Sequence, residues 1–169
     1  MKCSVCGNEH SLDELELTFK RPDALAVLSE AERNSRCRES ADLAHIDHTR
    51  WFVRGTIPLG VHGRLREYRI GAWVEVEESE FRTVLDLWDD PSQSDRAALP
   101  AVLANHIPGH AESLGQPVSL KLTGPETRPD ILISDVSTSL GAEQVDGISE
   151  ERAMRYSSHT YHDDSDCRT

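Results

Sequence analysis

Between Tyr68 and Val76 the chain alternates. Tyr68, Ile70, Ala72, Val74 and Val76 fall on one face of an extended segment, with Arg69, Trp73 and Glu75 on the other. A period of two sustained this long describes an antiparallel strand with one buried side. The period then changes. Phe81, Val84, Leu85 and Trp88 recur at i, i+3, i+4 and i+7, the stripe of an amphipathic helix, and Ser79 is placed to cap it. A strand and a helix that follow one another, each with one apolar face, bury those faces together. The expected class is therefore α+β, an antiparallel sheet with helices packed on one face. The expected core is one cluster of Tyr68, Ile70, Val74, Val76, Phe81, Val84, Leu85 and Trp88.

The flanking segments fit that class. Pro22 opens a stretch of helix formers with Leu25 and Leu28 on one face, and Ser29 with Glu32 has capping-box spacing for a second short helix. Trp51 to Ile57 is aromatic and β-branched and reads as a strand stopped by Pro58. Leu99, Val102 and Leu103 suggest another short helix before Pro108-Gly109. Val118, Leu120 and Leu122 alternate again, Ile131 to Val136 reads as the last strand, and Ser149 is placed to cap a final helix over Glu150 to Tyr156.

At 169 residues the chain suits one domain. We expect it over 1–158, with a metal knuckle inside 1–48 and a disordered acidic, histidine-containing tail at 159–169. The formal net charge of −12 disfavours nucleic acid, whose phosphates need clustered Lys and Arg, and disfavours an anionic membrane. A basic protein partner or plain solubility suits it better. Four cysteines, one close pair among them, without an export signal read as cytoplasmic thiols rather than a disulfide framework.

That close pair is Cys3-Ser4-Val5-Cys6-Gly7, followed by His10. Two thiolates separated by two residues can grip one Zn²⁺ from the same side of a tight turn, and glycine suits that turn. Two thiolates do not complete a tetrahedral site. His10 is the nearest further ligand and Cys37 the natural distant one, while His45 and His48 are spares. A thioredoxin-type redox pair would need a strand before it and a helix after it. Two unrelated thiols are the plainer alternative.

Cys-x-x-Cys-Gly-x-x-His, Ile46-Asp47 leading into Phe52-Val53-Arg54-Gly55, and Gly71 to Glu77 with Phe81 occur in that order. Ile107-Pro108, Arg128-Pro129 and Gly147-Ile148-Ser149 follow. This set resembles the bacterial family catalogued as domain of unknown function 2199, over most of residues 1–158. The resemblance implies a single bacterial domain, metal-binding at its N-terminus, with no assigned reaction. Where that family carries a cysteine before the strand, this chain has Ala44, so the resemblance leaves the fourth ligand open and Cys37 stands as a substitute.

Two readings attach to Arg54. Its planar fork could clamp an anion or carboxylate, or it could simply pair with a surface acid. Trp73 could stack on a ligand, although burial under another element is the commoner fate. His106 and His110 lie in a Pro-Gly loop with no adjacent nucleophile, which reads as a solvated loop. The tail group of His159, His162, Asp163, Asp164, Asp166 and Cys167 reads as a frayed end. No phosphate loop, His-Glu-x-x-His helix or G-x-S-x-G elbow is present. The functional expectation is an acidic binding or interaction domain with a structural zinc. The rivals are a small enzyme with an open zinc site and a metal-free scaffold with incidental cysteines.

Overall fold

The structure is a computed structural model that describes residues 16–160. Among these residues seven strands are hydrogen-bonded in chain order: β1 (Cys37–Glu39), β2 (Leu43–Ile46), β3 (Arg50–Leu59), β4 (Tyr68–Val76), β5 (Leu99–Leu103), β6 (Pro117–Lys121) and β7 (Asp130–Ile133). Each consecutive pair is antiparallel, but β7 also pairs in parallel with β3 at Thr56–Asp130. That contact rolls β3 to β7 into a five-strand mixed barrel, from which β1 and β2 extend. The expected α+β class holds, while the expected antiparallel sheet with helices on one face is corrected to this closed, mixed form. The reason is the length of β3. One of its edges is filled by β4 over nine residue pairs, while the other edge is shared, β2 pairing with Arg50 to Val53 and β7 meeting Thr56. A strand with two partners along one edge turns a sheet back on itself.

Side-chain alternation then sorts the faces. Val53, Ile57 and Leu59 of β3 sit opposite Val74, Ile70 and Tyr68 of β4, and all are buried inside with Leu103, Leu120 and Ile131 from the remaining strands. On the other face Phe52 and Trp73 are equally buried, covered by Phe19, Leu25, Ala44, Ile46 and Ala104 in a second cluster. Leu17–Phe19 runs alongside β4 at Gly71, with Leu17 in the barrel interior and Phe19 packed against both clusters. Gly71 there donates to the Leu17 carbonyl at 2.9 Å and accepts from Phe19 N–H at 2.8 Å.

Of the helices, α1 (Asp23–Ala26) gives Leu25 to this second cluster, α2 (Glu30–Arg36) buries no residue, and the Ser29–Glu32 capping box forms as expected. α3 (Glu78–Asp86) begins one residue before Ser79, with Glu77 at the N-cap, so Ser79 does not cap it. Its buried line is Phe81, Val84 and, just past the helix, Leu87. Leu85 and Trp88 are 46% and 41% exposed, which corrects the expected core. The contact with the barrel covers only a narrow stripe, spaced i, i+3, i+6, and the i+4 position falls outside it. Leu99–Leu103 is strand β5 rather than a short helix, and β7 ends at Ile133, short of Val136. α4 (Ser139–Asp146) was not anticipated; α5 (Glu150–Ser157) is capped by Ser149 as expected. Among the described residues no helix is long and apolar enough to cross a membrane.

Gly55 sits where the barrel closes. A Cβ there would lie 2.8 Å from the Pro129 carbonyl oxygen and 2.9 Å from Ile131 Cγ1. Gly55→Ala should therefore cost about 1–3 kcal/mol in urea denaturation, the usual scale of overpacking. Leu85→Ala should cost under about 1 kcal/mol, as for an exposed position. A neutral Gly55→Ala, or a Leu85→Ala loss above about 2 kcal/mol, would contradict this packing.

Candidate functional site

Between Val53, the last β3 residue paired with β2, and Thr56, which meets β7, the edge of β3 changes partner. Arg54 and Gly55 are the residues at the change. Arg54 N–H donates to the Asp42 carbonyl at 2.9 Å, and Thr56 N–H donates to the Pro129 carbonyl at 2.9 Å. The β1–β2 turn and the β6–β7 loop thus converge on one point from opposite sides. The segment from Leu122 to Asp130, with Gly124 at φ +139°, forms the outer wall.

Three arginines meet there with different partners. Arg69 donates to Asp130 at 2.7 Å, to Thr56 Oγ1 at 2.9 Å and to Glu67 at 2.8 Å. Arg128 donates through Nε to Asp42 at 2.7 Å. Arg54 has no carboxylate partner among the described residues. Its Nη1 donates to the Ala41 carbonyl at 3.1 Å, its Cζ stands 5.8 Å from the Trp73 ring, and its buried Nε has no partner. Burial and then the like charge of Arg128 push the Arg54 pKa down, with Asp42 opposing. A half-buried cation with an idle donor is poised for an anion. The plainer reading, that Arg54 pairs with a surface acid, is corrected.

The three arginines line a cavity of about 770 Å³ shared with Val84, Trp88, Gln93, Leu122 and the loop prolines Pro125 and Pro129. Its size falls within the range of small-molecule sites. Gln93 is 5% exposed and donates its amide nitrogen to the Leu87 and Trp88 carbonyls, which leaves Oε1 as its acceptor.

A family model described as "Uncharacterized protein conserved in bacteria (DUF2199)" matches residues 2–148. The chain belongs to that family. No curated protein and no solved structure matches it. Two of the motifs by which the sequence resembles DUF2199, Phe52-Val53-Arg54-Gly55 and Arg128-Pro129, meet at this cavity although they lie far apart in sequence.

The metal ligands expected of this DUF2199 chain fare differently. Cys3, Cys6 and His10 lie outside the described residues, as do His162, Asp163, Asp164, Asp166 and Cys167. Cys37 is a free thiol in β1, packed against the second cluster that also holds Ala44, and burial pushes its pKa up. The His45 and His48 rings lie tilted with centroids 4.1 Å apart, but His48 at φ 52° and Asp47 at φ 51° belong to the three-residue β2–β3 turn. Among the described residues no group of three His, Cys, Asp or Glu could hold a metal. Trp73 is buried and donates Nε1–H to the Phe19 carbonyl at 3.1 Å, so it stacks on no ligand.

His106 is exposed, but His110 is 4% exposed, which corrects the solvated-loop reading. Its Nδ1 lies 2.6 Å from Ser139 Oγ, and its Nε2 lies 2.6 Å from Tyr156 Oη and 3.3 Å from Glu143. A serine is thus beside it in space, though remote in sequence. Tyr156 donates to Glu143, and Arg152 donates to Glu143 at 2.7 Å while covering the Tyr156 ring. These polar atoms are spent on one another and pin α4 and α5 to the loop. Burial raises the Glu143 pKa, but hydrogen bonds from His110, Tyr156 and Arg152 outweigh it and hold the carboxyl at about 2. A carboxyl depressed from its ordinary 4.5 stabilises the fold above pH 4.5, and the contribution is lost as pH falls toward 2. Glu143→Gln should flatten that acid limb of the stability profile by about 1–2 kcal/mol after allowance for solvent screening. Parallel profiles for the variant and the unmodified protein would contradict the assignment.

Proposed function

We propose that this protein is a binding domain whose ligand carries an anionic group seated on Arg54. What supports the reading is an arginine that lines the cavity with no carboxylate partner among the described residues and with a buried Nε left without a hydrogen bond, where the other cavity arginines each hold a carboxylate. Nothing in the cavity supplies a nucleophile paired with a base, so binding is favoured over the enzyme rival. Arg54→Met keeps the stem against Trp73 and removes the charge. An unpaired, half-buried cation costs stability, so the variant should melt at the same temperature as the unmodified protein or higher, yet lose stabilisation by added acetate at constant ionic strength. Acetate stabilisation that survives in Arg54→Met would refute the site.

The zinc expectation stands as the companion proposal, supported by the Cys3-x-x-Cys6 spacing, by His10, and by the place of Cys37 beside the second cluster where the chain enters the fold. A structural zinc would hold the entering segment against that cluster. Purified protein should carry about one equivalent of zinc, and Cys3→Ser should lower both zinc content and melting temperature. Metal-free protein from zinc-replete growth would dismiss it and leave the scaffold reading for the cysteines.

A further inference from the structure

We infer that the ligand of the Arg54 cavity is a small monocarboxylate with an apolar, ring-bearing body; this rests on the reading of Arg54 as an anion clamp. Charge decides the head group. Arg69 and Arg128 each hold an aspartate at 2.7 Å, so among the described residues Arg54 is the one cavity arginine with no carboxylate hydrogen-bonded to it, its charge offset only at longer range by Asp42, and Glu126 on the wall opposes a second negative charge. The chain's net charge of −12 acts in the same direction at longer range. A dianionic phosphate would leave one charge without a partner, while a carboxylate matches the guanidinium fork one to one.

Volume and chemistry decide the body. A carboxylate group alone fills a small part of about 770 Å³. The rest of the lining includes Val84, Trp88, Leu122 and the two loop prolines. Trp88 is 41% exposed although it follows the buried Val84 by one helical turn, so an indole at the cavity keeps a large uncovered apolar area. An aromatic ring placed there buries apolar area on both partners. Gln93 Oε1 offers one acceptor to a donor on that body.

Phenylacetate, acetate and phenylacetamide separate the two halves of the inference, with binding followed by amide chemical shifts on the full chain. Phenylacetate should bind at least about tenfold more tightly than acetate, which is about 1.4 kcal/mol. The neutral phenylacetamide should bind more weakly than phenylacetate by a similar factor. Trp88→Ala should bring the phenylacetate-to-acetate ratio toward one, and Arg54→Met should abolish binding of both. Equal affinities for acetate and phenylacetate would overturn the ring-bearing class while leaving the anion clamp in place. Phenylacetamide binding as well as phenylacetate, Arg54→Met binding unchanged, or no binding of either acid would overturn the clamp itself.

Discussion

The absence of a side chain at Gly55 is the constraint on which the barrel depends. The Pro129 carbonyl must come close enough to accept from Thr56 N–H, and it does so over a position where any Cβ would lie 2.8 Å from that oxygen. Without that approach β7 would have no route to β3, and the chain would present an open sheet with an exposed β7 edge. Closure also sets the site. Because β3 must release β2 before it can accept β7, its edge has an interval belonging to neither, and Arg54 occupies that interval. The cavity is a consequence of how the sheet closes.

The electrostatics of that interval run against stability. Most arginines in the structure are matched with carboxylates, among them Arg21 with Glu39, Arg36 with Asp47 and Arg50 with Glu75. Arg54 is set against Trp73 with a donor unused, in a chain with a large surplus of acids. Folding alone would favour an apolar residue or a nearby aspartate. A group held where it weakens the fold is what the proposed anion site would need.

Much of the secondary structure was legible because it depends on local chemistry. The β4 strand, the Ser29–Glu32 box and the Ser149 cap all act within a few residues and formed as read, although the β4 face read as the open one is also covered, with Trp73 buried in the second cluster. What depended on distant partners was not legible. The barrel rests on one Thr56–Asp130 pairing, and no local pattern announces it. The same holds for His110, whose burial comes from Ser139, Glu143 and Tyr156 far along the chain. In the site, Arg54 could be named but not its want of a partner, which depends on Asp42 being taken by Arg128. Trp88 was read as core because periodicity gives a helix face and not its width. Arg128-Pro129 was visible as a motif, yet nothing local tied it to Arg54.

Strand β1 has a consequence for the surface. Among the described residues it is the free margin of the sheet, three residues long and paired only with β2, and two of those residues, Arg38 and Glu39, are charged and exposed. The Arg21–Glu39 ion pair sits on it as well. A second chain adding a strand there would find few backbone groups to pair with and would have to displace those charges. Since the opposite margin is consumed in closing the barrel, the sheet resists edge-to-edge growth between copies, and the tendency to aggregate is held down by geometry at one side and by charge at the other.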